Sequence, residues 1–334
     1  VQLPAIPEHA LAVLVFGPGT GELIVVHAPG GHWMLVDGCR RQQGRWYGQR
    51  VLDHYAATSA LVLTHPHRDH AGGVADLIDE HCHDEQDDWP LLGLLPPPEP
   101  HEPSTIDADA AQKRGLAEDA VAAIQDRWER RPRCRWELGV GAHRSFGAAT
   151  FEVVAPLPRP DDTFGRDPNE RSSVLRIVWD ELCVVLSGDL APKSAWTRAI
   201  AHTDDLPRHH AWKVPHHGSV EALHATMLTS SPTAPRVLTP FASANVPSFE
   251  ANGGVAQLLE AVAEVWLTSL PRAHGQQSAT PEIVRLDELM PDGRHIAFDS
   301  PTSGFPDTFV AFVWDSPSDP PAIHPGPGSV KVVR

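Results

Sequence analysis

Hydrophobic residues enter this chain in short, nearly unbroken runs separated by turns that contain glycine and proline. LAVLVFG (11–17) leads through PGTGE (18–22) to LIVVHA (23–28), and PGGH (29–32) leads to WMLVDG (33–38). Runs punctuated in this way predict strands joined by tight turns. ALVLTH (60–65) is another short and wholly apolar run, as expected of a strand buried on both faces. After it, AGGVADLIDEH (71–81) predicts a glycine turn entering a helix.

The pattern changes beyond residue 79. DEHCHDEQDD (79–88) is acidic and LLPPPEPHEPS (94–104) is a proline-rich loop. The clearest helical period lies in 107–131, where Leu116, Ala120, Val121, Ile124 and Trp128 share one stripe. Strand-like runs return at 136–141, 149–156, 172–180 and 182–189. AWKVPHHGS (211–219), a helical EALHATML (221–228), RVLTPF (236–241), a helical VAQLLEAVAE (255–264) and VWLTS (265–269) follow. Residues 271–334 are rich in Pro, Gly and Asp, with strand candidates at HIAF (295–298), TFVAFVWD (308–315) and SVKVV (329–333).

Composition narrows the picture. The 334 residues suffice for a sizeable core, and 41% hydrophobic with 21% charged content is that of a globular protein. No run approaches the roughly 18 unbroken apolar residues of a membrane span. The first residues carry neither a basic segment nor a small-residue cleavage site, so a cytoplasmic protein without a signal peptide is expected. Cys39, Cys82, Cys134 and Cys183 are far apart and form no C-x-x-C pair, which favours buried thiols over a disulfide framework. A formal net charge of −16 counts against a broad basic surface for duplex nucleic acid. Lys and Arg contacts to phosphate supply most non-specific affinity.

The candidate chemistry sits at strand ends. His65, His67, Asp69 and His70 fall within six residues directly after the run at 60–63. In a loop leaving a strand, residues i and i+2 can converge on one point, while i+4 and i+5 turn toward a second. Imidazole and carboxylate are the ligands that zinc-like ions prefer. VVLSGDL places Asp189, and WKVPHHGS places His216 and His217, after two further apolar runs. A carboxylate there has no packing reason to be present. Two neighbouring ions also need an oxygen donor that bridges them.

T-H-x-H-x-D-H-x-G-G (64–73) resembles the signature of the metallo-β-lactamase fold superfamily. NERSSVL, VVLSGDL and WKVPHHGS, in that order, are more narrowly similar to the hydrolase domain of ComEC-type DNA-uptake proteins and their soluble relatives. VDG (36–38) fits the family's early strand ending in aspartate, here Asp37, and the resemblance spans residues 10–270. It implies an α/β fold, a four-layer αβ/βα sandwich with its site on one edge. Residues 1–270 form the domain, 79–135 a helical and loop insertion, and 271–334 an extension packed on the same domain.

The resemblance further implies two divalent ions, zinc or manganese. His65 and His67 hold the first and Asp69 and His70 the second. Asp189 bridges them, and a histidine of the 216–217 pair completes the second, with His216 favoured and His217 open. Asp69, His70 and Asp189 are the catalytic candidates; Asn169, Ser172, Lys213 and Ser219 are candidates for contact with an anionic substrate. Asp37 is either a hydrogen-bond acceptor for a ligand histidine or a plain turn residue.

Two departures from the superfamily stand out. Many members supply a third histidine to the first metal, where this chain offers Asn169, Ser172 and Ser173, and His143 lies in an expected turn. The first site is therefore expected to be weaker or completed by water. NVPSFE (245–250) also lacks the histidine of the relatives' N-x-x-x-H-P. His81, His83, His209 and His210 lie in acidic or polar loops and read as ordinary histidines.

The expected reaction is hydrolysis by a metal-activated water, first of all phosphodiester cleavage by a nuclease or phosphodiesterase. The acidic balance favours single-stranded or locally held DNA, or delivery by a protein partner in a defence-type system. Two other readings stand beside it: a small-molecule hydrolase acting on a lactam, lactone or thioester, and a non-catalytic, metal-stabilised adaptor.

Overall fold

In the computed structural model the described residues are 3–19, 21–39, 41–42, 45–46, 53–54, 58–83, 89–95, 108–158, 167–241, 244, 246–269, 282–286, 308–326 and 329–334. The first half builds β1 (Leu11–Phe16), β2 (Leu23–Ala28), β3 (His32–Val36), the two-residue strands β4 (Arg41–Gln42) and β5 (Arg45–Trp46), and β6 (Ala60–Leu63). Short α1 (Arg68–Ala71), α2 (Val74–His81), β7 (Leu91–Leu94), α3 (Ala108–Arg130) and β8 (Arg135–Glu137) follow. The second half builds β9 (His143–Phe146), β10 (Ala149–Ala155), β11 (Val174–Trp179), β12 (Leu182–Leu186), α4 (Lys193–His202), β13 (Ala211–Lys213) and α5 (Ala225–Thr229). It ends with β14 (Arg236–Leu238), α6 (Gly254–Ala261), β15 (Glu264–Leu267), β16 (Glu282–Arg285), β17 (Phe309–Trp314), β18 (Ala322–Pro325) and β19 (Val330–Val333).

The unbroken apolar runs are explained by burial on both faces. In β1, Ala12, Leu14 and Phe16 pack with Leu77 and Ile78 of α2 and Ile124 and Trp128 of α3. The alternate residues Leu11, Val13 and Val15 share a core with Phe151, Ile177, Val184 and Leu186 of the other sheet. In β12 the period-2 alternation repeats: Cys183 and Val185 face Trp196 of α4 and Leu258 of α6. The order of layers is thus helix, sheet, sheet, helix, the αβ/βα sandwich.

The first sheet runs β18-β17-β1-β2-β3-β6-β7-β8 and the second β16-β19-β15-β14-β13-β12-β11-β10-β9. Within them β3, β6, β7 and β8 are mutually parallel, as are β12, β13, β14 and β15. Carboxyl ends of parallel strands therefore gather at the same end of each sheet, the usual place for a site in open α/β sheets.

The 79–135 segment is more than helix and loop, because Leu91–Leu94 enters the first sheet as β7. Its helix buries Ala120, Ile124 and Trp128, and the Trp128 indole donates to Leu92 O at 2.9 Å. Of the 271–334 segment, β17 pairs with β1 and β19 with β15, so both sheets recruit it. HIAF lies outside the described residues. The helix expected over 221–228 is shorter, Ala225–Thr229, because the His224 ring accepts from Thr226 N and starts it late. Among the described residues the four cysteines are buried with no disulfide, and no helix is long and apolar enough to cross a membrane.

His209 is buried 5.6 Å from the Trp212 ring, far from the strand-end residues in role. Burial and the nearby Arg236 guanidinium push its imidazole down from 6.5 to about 4. Above pH 6.5 the ring is neutral whether the chain is folded or not, so it contributes no pH dependence. Below 6.5 only the unfolded chain takes the proton, and stability falls until the folded ring titrates. Between pH 7.5 and 5 this one group removes about 2 kcal/mol. Urea unfolding of the wild type and His209→Gln at both pH values should show that the variant loses less on acidification by that amount.

Candidate metal centre

Asp37 closes β3 with φ of 61°, a left-handed turn that returns its carboxylate toward the neighbouring strand end. There it accepts from Thr64 N at 2.7 Å, from Thr64 Oγ1 at 2.7 Å and from His70 Nδ1 at 2.6 Å. It is an acceptor that orients a histidine. With Nδ1 donating to Asp37, the His70 Nε2 lone pair faces Asp189 Oδ2 at 3.3 Å and Asp69 Oδ2 at 3.6 Å.

His217 is oriented in the same manner from the second sheet. Its Nδ1 donates to Thr239 O at 2.8 Å, and its Nε2 lies 3.1 Å from Asp69 Oδ2 and 3.5 Å from Asp189 Oδ2. The ring stacks on Phe241 with centroids 5.0 Å apart. Asp69, His70, Asp189 and His217 each bring one donor atom to a group whose members lie within 4.8 Å of one another. His65, His67 and Asp189 form a second such group. In it His65 Nε2 and His67 Nδ1 converge to 3.0 Å, while His65 Nδ1 lies 3.1 Å from Thr64 Oγ1.

Asp189 belongs to both groups, and the turn that carries it is tightly constrained. Gly188 has φ of 48°, and a Cβ there would run into Ser172 Oγ. That hydroxyl accepts from Asp189 N at 2.9 Å and so sets the start of the aspartate.

The electrostatics are those of a cation site. Burial pulls the His70 imidazole down, but Asp189, Asp37 and Asp69 outweigh it and hold it well above its ordinary value. His217 is raised for the same reason, burial being overcome by Asp189 and Asp69. Burial raises both Asp69 and Asp189, yet His70 and His217 win and both carboxyls lie below the usual range. His65 is lowered by burial and then by His70, which leaves it a neutral ligand. Protons on the imidazoles thus stand where cations fit. The donor set matches divalent ions, since His70 Nε2 and Asp189 Oδ1 are buried with no hydrogen-bond partner among the described residues.

The structure brings together His65, His67, Asp69, His70, Asp189 and His217. It reverses the preference for His216. Both histidines have left-handed backbones, φ 46° and 52°, and the turn sends their rings in different directions. The His216 ring lies 3.2 Å from Asn169 Nδ2 and 3.3 Å from Glu221 Oε1, outside both donor groups. Two expected substrate contacts lie inside the fold. Ser172 is fully buried behind Asp189, and Lys213 is buried with its ammonium 2.5 Å from Glu22 Oε2. Asn169 is buried against His216, and Ser219 is half-buried just beyond the pair. His143 is exposed on β9, so it supplies no third histidine to the first group.

Sequence reading missed Glu22, Thr64 and Thr239. Thr64 and Thr239 follow apolar runs, the signal that singled out Asp189, whereas Glu22 precedes one and carries no such signal.

A four-layer αβ/βα sandwich thus brings histidines and aspartates from strand ends of both sheets together at one end, in two groups that could each hold a metal ion. No family profile matches the chain, and no curated protein matches it. Among solved structures it is similar to Igni18, a metallo hydrolase from the archaeon Ignicoccus hospitalis (11% identity, 69% of this chain, 82% of that chain, TM-score 0.40). It is similar to the metallo-β-lactamase fold protein YhfI from Bacillus subtilis (12% identity, 69% and 86%, TM-score 0.39). A metallo-β-lactamase from Staphylococcus aureus also matches (13% identity, 66% and 58%, TM-score 0.37). At these values the layers and donor geometry rest on this chain's own residues.

Proposed function

We propose that this chain is a metal-dependent hydrolase whose substrate is a phosphodiester, in the first place single-stranded or locally held DNA. The observation that carries the hydrolase reading is Asp189, shared by two donor groups, its Oδ2 facing His70, His217 and His65. Asp69, His70, Asp189 and His217 would hold one ion, and His65, His67 and Asp189 the other. Divalent ions bound there supply Lewis acidity, lowering the pKa of a water toward roughly 7 and balancing charge at the attacked centre.

The chain's own residues do the rest. Asp69, with 14% of its side chain exposed, is the carboxylate on the solvent side and the group placed to take a proton from the attacking water. His217 Nε2 lies 3.1 Å from Asp69 Oδ2, so imidazole and carboxylate would face the same ion. His70 and Asp37 form a rigid back wall that excludes water from the buried side.

The phosphodiester assignment rests on the ordered NERSSVL, VVLSGDL and WKVPHHGS motifs. One observation favours the second reading, a small-molecule lactam, lactone or thioester. Lys213 and Ser172 are consumed inside the fold and cannot bind a substrate phosphate. Metal content by mass spectrometry, paired with cleavage of labelled single- and double-stranded DNA in Mn²⁺ or Zn²⁺, tests the proposal. Bound metal with DNA cleavage lost in Asp69→Ala/His70→Ala is the expected result. Bound metal with turnover only of a chromogenic lactam or thioester would move the assignment to the second reading. Bound metal with no turnover of any substrate would favour the adaptor.

A further inference from the structure

We propose that Glu22 is a positioning residue for the metal centre, its side chain acting through Lys213 and Thr239 to set two of the four donors, Asp189 and His217. The inference rests on the metal-centre reading and goes beyond it.

Glu22 stands just ahead of β2, in the first sheet, and is fully buried. Its backbone N donates to Asp69 O at 3.0 Å. Its Oε2 receives two donors from the second sheet, Lys213 Nζ at 2.5 Å and Thr239 Oγ1 at 2.6 Å. Each of these touches another part of the centre. Lys213 Nζ donates to Gly188 O at 3.1 Å and lies 3.9 Å from Asp189 Oδ1, which has no hydrogen-bond partner among the described residues. Thr239 accepts the Nδ1 proton of His217, through its carbonyl at 2.8 Å, which leaves Nε2 free to ligate. One carboxylate is therefore tied to Asp189 through Lys213 and to His217 through Thr239, while the same residue's backbone N–H holds Asp69 O. The remaining donor, His70, is held by Asp37, and donor atoms of Glu22, Asp37 and His70 also lie within 4.8 Å of one another.

The plainer role for such a pair is a clamp between the two sheets. A buried ion pair is often no better for stability than apolar residues of the same size. The clamp alone leaves unexplained why Lys213 sits beneath the shared aspartate. The ammonium, neutralised by Glu22, can hold Gly188 and Asp189 in register without repelling a cation. Remove the Glu22 charge and the same ammonium competes with the metal for Asp189. The two roles thus differ in what happens when Lys213 is removed as well.

The test is titration of the metal-free full-length chain with Zn²⁺ by calorimetry and with Co²⁺ by its visible spectrum. Wild type, Glu22→Gln, Lys213→Met and the double variant are compared, each checked for fold by circular dichroism. Partners that orient metal ligands typically cost 10–100-fold in affinity when lost. Glu22→Gln should lose roughly that factor for one ion and shift the Co²⁺ spectrum. The double variant, which removes the uncompensated ammonium, should recover most of the loss. A folded Glu22→Gln with wild-type affinity and spectrum would overturn the inference while leaving the metal centre standing. A double variant no better than Glu22→Gln would reduce the pair to a clamp. Should Glu22→Gln not fold, Thr239→Val removes the hydroxyl that joins Glu22 Oε2 and lies 3.0 Å from His217 Nδ1 while keeping the carbonyl that holds that ring, and unchanged Zn²⁺ affinity there would also overturn it. A wild-type chain that binds no Zn²⁺ would instead sink the underlying metal reading.

Discussion

Asp189→Ala should strip both halves of the centre at once. Asp189 Oδ2 lies 3.3 Å from His70 Nε2, 3.5 Å from His217 Nε2 and 3.9 Å from His65 Nε2, so no other side chain can replace it. Metal content should fall from two ions per chain toward none. Hydrolysis of whatever substrate the wild type turns over should fall on the order of 10³-fold or more, since the ions supply several kcal/mol of charge stabilisation and each decade is about 1.4 kcal/mol. Removal of one member of a buried charge network also destabilises the fold, by about 3–5 kcal/mol. Asp189→Asn is therefore the companion variant, because it keeps the volume while losing the charge. Its metal loss with a native circular dichroism spectrum would separate ligation from folding. An Asp189→Asn chain that retained two tightly bound ions and activity within tenfold of wild type would refute the bridging role.

Much of this was legible in the chain, and the gaps have physical causes. The period-2 alternation hidden inside LAVLVF and LCVVL is invisible when both faces are apolar, yet the lack of alternation itself announced strands buried on both sides. Strand-end position singled out His65, His67, Asp69, His70 and Asp189, and the structure brings these residues together. The same rule failed to separate His216 from His217. That choice depends on two consecutive left-handed residues, φ 46° and 52°, which sequence does not reveal for non-glycine residues. Lys213 was read as a substrate contact from its place near the histidine pair, and the structure pairs it inside the fold instead. Its acidic partner lies in the other sheet, 191 positions earlier by subtraction of 22 from 213, and only the packing of the sheets unites them.

The paired histidines give the sharpest contrast. His217→Ala removes one of four donors and exposes Asp69 and Asp189 to a site they can no longer share with an imidazole. The ion held by Asp69, His70 and Asp189 should then bind at least 10²-fold more weakly, and activity at limiting metal should fall by a similar factor, in line with the several kcal/mol a bound ion contributes. His216→Ala should keep both ions, because its ring nitrogens face Asn169 and Glu221 and lie outside both donor groups. Zn²⁺ affinity measured by competition with a chromophoric chelator compares the two directly, and added Zn²⁺ should restore His217→Ala in part. An effect of His216→Ala on KM with metal content intact would place His216 on the substrate side of the centre. Loss of metal in His216→Ala with retention in His217→Ala would mean that the turn inverts when an ion binds. The hydrogen bond from His217 Nδ1 to Thr239 O argues against that inversion, since it would have to break for the two rings to exchange.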